Sequence, residues 1–277
     1  MNNLHIITVA THAQYYFPYL VESIKKNGNN LKVVGFNEKW GGFNWRLKKM
    51  ISYLDSLKSN DIICFLDGYD VLCLRNLAEL NSKFIELKNK YNCKIITGYD
   101  NVQPKVYSIF TSMYFGKCDN KLLNAGTYIG YTKDIIIILN NILKLNKDDA
   151  ADDQILMTKY CNLNKNEIYI DINNEIFLTI NSPLQDLSKI VEIDNNKLKY
   201  NNQYPFFIHA PGSGYLDNIL VKLNYKLDKS INNELYDNFF KNKVMLYTKL
   251  IIKDYYIHII ILILILISIY KLKKPNI

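Results

Sequence analysis

The chain has 277 residues, of which 49% are hydrophobic and 22% are charged, and its formal net charge is +8. This length allows one large globular domain with a sizeable core, or two small ones. Seven lysines and one acid lie from Lys241 onward, so the tail alone carries +6. The basic excess therefore flanks an apolar run. It excludes the broad basic face of a nucleic-acid-binding domain and fits an anionic lipid surface.

Predicted strands and helices alternate along the first half of the chain. Apolar runs predict strands, and apolar residues at helical spacing predict helices. The strands are expected over residues 4–10, 31–36, 61–66 and 93–98, and the helices over 13–27, 45–58 and 76–91. This alternation indicates a doubly wound α/β sheet.

The second half is less regular. Strands are expected over residues 122–131, 168–171, 176–180 and 204–209, with a helix over 132–145 and another opened by Asp152 and Asp153. Acids at that position favour a helix N-terminus. No internal repeat and no linker divides this part of the chain, so residues 1–240 are expected to form a single domain.

Two acids follow the apolar strand that ends at residue 66. Asp67 and Asp70 are three positions apart. Acids at the carboxyl edge of a sheet lie where ligands bind. Two hard oxygen ligands suit Mg²⁺ or Mn²⁺ bridged to a diphosphate, as in sugar-nucleotide glycosyltransferases. The alternative is a surface turn after a buried strand, because Asp-Gly is common turn chemistry.

Cysteine usage bears on the compartment. The five cysteines are at positions 64, 73, 93, 118 and 161 and show no metal-type spacing. Because their number is odd and they are scattered, reduced buried thiols are expected rather than a disulfide framework. The chain has no usable glycosylation sequon, and no signal peptide is visible at its start.

The C-terminal region predicts a membrane anchor. Residues 255–270 carry no formal charge, and as a helix they would span about 24 Å. This is slightly less than the hydrocarbon core, but flanking lysines and tyrosines can cover the difference. We expect a basic juxtamembrane segment over 241–254, a transmembrane tail anchor over 255–270 and a basic tail over 271–277. The alternative is a buried core helix. With no visible signal peptide, the domain is expected to face the cytosol.

Five short segments, taken together and in order, carry a family resemblance. They are IITVAT (6–11), FLDGYDV (65–71), LNAGTYIGY (123–131), DDQ (152–154) and FIHAPG (207–212). In this order the chain resembles the glycosyltransferase domain of the procollagen lysyl hydroxylases and the related collagen glucosyl- and galactosyltransferases. The resemblance implies a GT-A fold, Mn²⁺, a UDP-sugar donor and a protein or glycan acceptor, with hydroxylysine or galactosyl-hydroxylysine as the family expectation.

The resemblance also implies a role for individual residues. Asp67, Asp70 and His209 would be the metal ligands. Tyr69 would stack on uracil, Val9 and Thr11 would contact the nucleoside, and Trp40 would lie near the donor. Gly212 would approach the diphosphate, Asn124 would contact the sugar, and Asp152 or Asp153 would act on the sugar or as general base. Each has a structural alternative. Val9, Thr11, Tyr69 and Trp40 could be core-packing residues, and His209 could be a hydrogen-bonded histidine at a strand end. Asn124 could form a turn, and Asp152 and Asp153 could cap a helix.

Some positions depart from the family pattern. Asn44 replaces a family lysine two residues before Arg46, Thr127 replaces a glycine, and a further family lysine is replaced near Tyr215. Because phosphate-binding lysines are lost, a second interpretation stays open: a catalytically weak, membrane-tethered sugar-nucleotide-binding module. The intact Asp67, Asp70 and His209 speak against it. A third is a phosphohydrolase, but that chemistry needs acids two residues apart, whereas Asp67 and Asp70 are three apart.

Overall fold

The computed structural model describes residues 2–103, 105, 107–182, 186–194, 197–212, 214–228 and 260–267. The chain divides into two units, Met1–Asp228 and Lys229–Ile277. The predicted domain end at residue 240 and the predicted basic segments 241–254 and 271–277 lie outside the described residues, so they stay predictions.

Strands and helices alternate in the first unit, as the sequence predicts. The strands are β1 (Leu4–Val9), β2 (Leu31–Val34), β3 (Ile62–Leu66), β4 (Val71–Cys73), β5 (Ile95–Val102), β6 (Leu123–Tyr131), β7 (Ile168–Asp171), β8 (Phe177–Asn181), β9 (Glu192–Asp194), β10 (Lys197–Lys199) and β11 (Phe207–His209). The helices are α1 (Phe17–Lys26), α2 (Phe43–Leu54), α3 (Leu80–Tyr91), α4 (Tyr107–Phe115), α5 (Thr132–Leu145), α6 (Asp153–Leu163) and α7 (Asp217–Lys222).

Nine strands form one mixed sheet in the order β2-β1-β3-β6-β5-β8-β11-β4, with β7 also paired to β5. β1 runs parallel to β2 and β3, while β6 runs antiparallel to both β3 and β5. β8 runs parallel to β5 and β11, and β4 closes the edge antiparallel to β11. The predicted mixed α/β sheet is confirmed.

Helices cover both faces of this sheet. β3 shows this most clearly, because all five of its residues are buried. Ile63 and Phe65 belong to one apolar cluster, with α2, α5 and α6, whereas Ile62, Cys64 and Leu66 belong to the other, with α1 and α3. A strand covered on both faces is a continuous apolar run rather than an alternating one. Each such side chain contributes about 1.5–3 kcal/mol of burial free energy, which holds the end of β3 in place.

β4 was not predicted from the sequence. It has three residues and starts directly after Asp70. Its partner is distant in sequence, since Val71 pairs with His209. A pairing this short and this long-range leaves no periodic signal. The pairing of β4 with β11 also positions Asp70. The backbone N–H of Ala210 donates to the carbonyl of Asp70 at 2.9 Å, so the end of β11 lies beside this acid.

The cysteine prediction was wrong for one pair. Cys118 and Cys161 form a disulfide across 43 positions, whereas Cys64, Cys73 and Cys93 are free and buried, as expected. An odd total does not exclude a single bridge, and nothing in the spacing marks these two. The pair meets because Cys118 precedes β6 while Cys161 lies on α6, which packs on that strand.

In the second unit only residues 260–267 are described. They are helical, and their side chains are 46–57% exposed. No helix within the described residues has the length and apolar character needed to cross a membrane. The other residues of the predicted 255–270 anchor lie outside the description, so the anchor stays a prediction.

Candidate active site

Three predicted metal ligands meet at the carboxyl edge of the sheet. Asp67 follows β3, Asp70 precedes β4, and His209 ends β11. His209 Nε2 lies 3.2 Å from Asp70 Oδ1 and 3.7 Å from Asp67 Oδ2. One ligand atom from each of the three residues lies within 4.8 Å of the others. Residues 139 positions apart thus form one cluster.

The cluster fits a divalent cation. Although His209 Nε2 and Asp70 Oδ1 are close, neither has a hydrogen-bond partner among the described residues. Three ligand atoms this close together can bind one common cation. Ligand atoms about 2.1 Å from an octahedral metal are about 3–4 Å apart, and His209 Nε2 lies 3.2 and 3.7 Å from the two carboxylates. Two carboxylates and an imidazole suit a divalent metal ion and leave further coordination positions open.

Gly126 on β6 makes room for the cluster. A Cβ on this glycine would lie 2.4 Å from both Asp67 Oδ2 and His209 Cε1. Its backbone is also engaged, since its carbonyl accepts the Asp67 N–H at 2.7 Å and its N–H donates to Asn124 Oδ1 at 2.9 Å. Any side chain here would displace two ligands, so the glycine is required by close approach.

Arg46 links the metal cluster to the acid pair. Its guanidinium donates to Asp67 Oδ1 at 2.5 Å and, through its other terminal nitrogen, to Asp153. Arg46 is only 8% exposed. Burial alone would lower the pKa of Arg46, but Asp153 and Asp67 outweigh burial and raise it. The sequence assigned Arg46 no role. A usable signal was present, because the chain has only two arginines among 34 basic residues, and a bidentate bridge needs arginine.

The buried cluster shifts the pKa values of Asp67 and His209. The pKa of Asp67 is raised to about 6, because burial and the neighbouring Asp70 raise it by more than Arg46 lowers it. Burial also opposes protonation of His209, but Asp70 and Asp67 outweigh it and raise the pKa of the ring. Without a cation, Asp67 and His209 therefore hold their protons to higher pH, and a bound divalent ion would displace those protons.

The acid pair at the start of α6 is held by two different interactions. Asp152 Oδ1 accepts the backbone N–H groups of Gln154 and Ile155 at 2.9 and 3.1 Å, so it caps the helix. Asp153 is 7% exposed and pairs with Arg46. Burial and the neighbouring Asp153 raise the pKa of Asp152. The capping alternative is therefore present at Asp152, while Asp153 lies on the metal side.

The predicted nucleoside contacts lie beside each other at the end of β1. The Thr11 N–H donates to the Tyr69 hydroxyl at 3.1 Å. The Tyr69 ring centroid lies 6.0 Å from that of His12 and 6.4 Å from that of Phe17. Val9 is 4% exposed and packs in the core. The structure thus brings Thr11 and Tyr69 together. The side chain of Val9 packs in the core, as its structural alternative predicted.

Three further predicted residues differ in their setting. Trp40 is 45% exposed and makes edge contacts with Phe43 and Trp45, so no described contact joins it to the metal cluster. Gly212 is exposed with φ of 67°, a left-handed conformation that favours glycine. Asn124 is 2% exposed, and besides Gly126 it contacts Gln154 Oε1 at 3.4 Å.

Two departures from the family pattern, Asn44 and Thr127, lie at buried positions. Asn44 is fully buried, and its amide donates to the carbonyls of Asn146 and Asp148 at 2.9 and 2.7 Å. It therefore fixes the loop that leads into Asp152. Thr127 is also fully buried, on the bulged part of β6 beside Gly126.

Comparison with known proteins identifies the family. A family profile described as the PLOD GT domain matches residues 1–235. A multifunctional procollagen lysine hydroxylase and glycosyltransferase of Caenorhabditis elegans is 27% identical, over 78% of this chain and 32% of that protein. The procollagen-lysine,2-oxoglutarate 5-dioxygenase 2 of Homo sapiens is 26% identical, over 73% of this chain and 28% of that protein.

A viral protein and a solved structure are also similar. The uncharacterised protein R699 of Acanthamoeba polyphaga mimivirus is 28% identical, over 65% of this chain and 39% of that protein. A solved glycosyltransferase involved in glycosylation of the PBCV-1 major capsid aligns at 12% identity and a TM-score of 0.44, over 75% of this chain and 93% of the other. The chain spans about a third of the length of the curated relatives it matches. Since the profile covers most of its 277 residues, this chain belongs to the family of PLOD glycosyltransferase domains, which are related to the collagen glycosyltransferases.

Proposed function

We propose that the protein is a Mn²⁺-dependent glycosyltransferase that moves a hexose from a UDP-sugar to an acceptor hydroxyl. The observation that carries this proposal is the convergence of Asp67, Asp70 and His209 in a chain of a glycosyltransferase family. By family expectation the acceptor is hydroxylysine or galactosyl-hydroxylysine of a collagen-like protein.

In this proposal each part of the site binds one part of the donor. Tyr69 and Thr11, joined by their hydrogen bond, hold the nucleoside, with uracil against the ring. Gly212 offers its backbone to the diphosphate. Asp67, Asp70 and His209 would hold the Mn²⁺ ion. Bound there, the ion supplies Lewis-acid stabilisation of the UDP leaving group.

The acid pair serves the sugar side. Asp153 is neutralised by Arg46, so it is suited to positioning. The Asp152 carboxylate caps α6 through one oxygen, which leaves its other oxygen for the sugar or the acceptor hydroxyl. Its pKa is raised, mainly by burial, and a base titrating nearer to neutral pH accepts a proton more effectively. We therefore assign proton transfer to Asp152 and positioning to Asp153.

A donor panel tests the proposal. The purified full chain in detergent is incubated with UDP-glucose, UDP-galactose, UDP-xylose or UDP-N-acetylglucosamine, with and without Mn²⁺, and release of UDP is measured. We expect Mn²⁺-stimulated turnover of a hexose donor, lost in Asp70→Ala although that variant keeps its circular dichroism spectrum. UDP binding without turnover would instead support the sugar-nucleotide-binding module, and release of inorganic phosphate from phosphate esters would support a phosphohydrolase.

A further inference from the structure

Three buried polar residues form a row across the sheet next to the metal cluster. Asp100 on β5 pairs in register with Thr179 on β8, and Thr179 pairs in register with His209 on β11. All three are at most 1% exposed. Of this Asp100–Thr179–His209 row, the sequence pointed to His209 but not to Asp100 or Thr179.

The three side chains are on the same face of the sheet. Phe177 and Phe207, two positions before Thr179 and His209, belong to one apolar cluster, and residues two apart on a strand share a face. Gly98 is two positions before Asp100, and a Cβ there would lie 2.6 Å from Thr179 Oγ1. The threonine hydroxyl therefore lies beside Gly98, on the face of the sheet that carries the aspartate and the histidine.

Each member of the row has a buried polar atom without a partner. Among the described residues, Asp100 Oδ1, Thr179 Oγ1 and His209 Nδ1 have no hydrogen bond. Burying such an atom unpaired costs free energy, and native proteins pair nearly all of them with protein or ordered water. Three such atoms in register on neighbouring strands need one common explanation.

We infer that the row is a hydrogen-bond relay that orients His209: its Nδ1–H donates to Thr179 Oγ1, whose hydroxyl donates to Asp100 Oδ1, directly or through one ordered water. In this relay each of the three unpartnered atoms gains a hydrogen bond. A proton fixed on Nδ1 leaves the Nε2 lone pair facing Asp70 and Asp67, which is the form a metal-binding imidazole needs. Thr179 and Asp100 are then positioning residues that act through the histidine.

This inference rests on the proposed metal site, but its test does not depend on turnover. The full chain in detergent micelles, labelled with ¹⁵N-histidine, is studied metal-free by NMR, which reports the tautomer of each of its four histidines. The His209→Asn variant assigns the signal. We expect one neutral tautomer for His209, protonated on Nδ1. Thr179→Val and Asp100→Asn should mix the tautomers, and Thr179→Ser should restore the wild-type signal.

Metal affinity supplies the second readout, measured from the EPR signal of free Mn²⁺ without donor. Thr179→Val and Asp100→Asn should weaken Mn²⁺ binding about 10- to 100-fold, and Thr179→Ser should not. Thr97→Val is the matched control. Thr97 is a fully buried threonine with an unpartnered hydroxyl among the described residues, but it pairs with Tyr128 of the opposite face. Thr97→Val should keep the wild-type tautomer of His209 and the wild-type Mn²⁺ affinity.

The outcomes separate this inference from the proposed function. Wild-type tautomer and Mn²⁺ affinity in both Thr179→Val and Asp100→Asn would overturn the relay, while loss of Mn²⁺ in Asp70→Ala would still uphold the metal site. A raised donor KM in Asp100→Asn with unchanged Mn²⁺ affinity would also overturn the relay, and would place Asp100 against the sugar.

The relay can also hold where the proposed function fails. An Nδ1–H tautomer that depends on Thr179, in a protein that binds no Mn²⁺, would uphold the relay and reject the proposed function. If Thr179→Val does not fold, the tautomer in wild type and Asp100→Asn decides alone.

Discussion

Proton competition at single residues sets when the site can bind its metal. Burial raises the pKa of Asp67 to about 6, and its two carboxylate neighbours raise the pKa of His209. Both groups must lose their protons to act as ligands, so falling pH opposes binding through both. We expect Mn²⁺ affinity to be full above pH 7 and to fall steeply as pH drops through about 6. EPR titration of free Mn²⁺ from pH 8 to 5 measures this. A flat affinity down to pH 5 would contradict it.

Gly126 gives a steric test of the same site. In Gly126→Ala the new methyl collides with Asp67 and His209, so both ligands must move. We expect Mn²⁺ affinity to fall at least tenfold with the fold retained, measured by calorimetry and circular dichroism. Gly130→Ala is the control, because a Cβ there meets Ile95 instead, at 2.7 Å. It should lower stability by about 1–3 kcal/mol, a typical overpacking cost, and leave Mn²⁺ affinity unchanged.

Arg46 tests the link between metal cluster and acid pair. Arg46→Lys keeps one charge but lacks the planar fork that reaches both Asp67 and Asp153, so the acids can no longer be held together. We expect at least a tenfold fall in kcat with a smaller change in UDP affinity, from steady-state kinetics and UDP titration. Arg75→Lys is the matched control, since Arg75 pairs with Glu79 on the surface, and its kinetics should match wild type. Equal loss of kcat in both would contradict the assignment.

Some of these residues were readable from the sequence and others were not. Asp67, Asp70 and His209 were readable because each lies at a strand end, next to an apolar run or a Gly-rich turn. Asp100 was not, because it lies inside a strand where its neighbours give no functional signal, and Arg46 was marked only by the rarity of arginine in this chain. Their partners come from other strands or helices, so only the three-dimensional fold reveals them.

At the scale of elements, prediction succeeded where an element has its own periodic signal. The helix over 132–145 and the strand over 168–171 match the structure residue for residue. The long strand β6 was also found, but not its bulge, where the register with β5 shifts. The bulge and β4 depend on pairing with distant strands, and together they shape the metal cluster. The least predictable elements are therefore those closest to the proposed chemistry.

The Cys118–Cys161 bridge gives a prediction about α6. It ties the helix that begins with the acid pair to the segment before β6. Alkylation of the denatured, unreduced chain should modify three thiols, and five after reduction. A bridge of this span contributes about 4 kcal/mol in the chain-entropy model, so Cys118→Ser should lower the unfolding free energy by roughly 2–4 kcal/mol. The control, Cys93→Ser, removes a free thiol and should leave two thiols before reduction. Five reactive thiols without reduction would exclude the bridge.

At the scale of the whole molecule, the family domain is joined to a very different segment. The family profile ends at residue 235, and the charge balance changes from about neutral to strongly basic shortly beyond it. The curated relatives are about three times longer than the part they share with this chain. The acceptors of the longer relatives therefore transfer to this chain only as proposals.

The last prediction concerns that C-terminal region. We propose that residues 255–270 anchor the protein in a membrane, because sixteen positions without formal charge are bounded by Lys253 and Lys271. An apolar run of this kind would otherwise leave a large exposed patch. The full chain should stay with membranes through alkaline carbonate extraction. Replacing Ile263 and Ile265 by lysine should release it, since each lysine at the centre of a span costs about 2.5–3.5 kcal/mol on insertion scales.

Two controls separate anchoring from surface adsorption and report orientation. Replacing Lys273 and Lys274 by glutamine removes charge outside the run and should leave carbonate resistance intact, whereas release of that variant would indicate electrostatic adsorption. A chain ending at Phe240 should be extracted into buffer and keep its donor turnover. Protease added outside sealed vesicles should digest the catalytic domain if, as we propose, it faces the cytosol. Full protection would reverse that orientation and would agree with an oxidised Cys118–Cys161 pair, because disulfides persist in oxidising compartments.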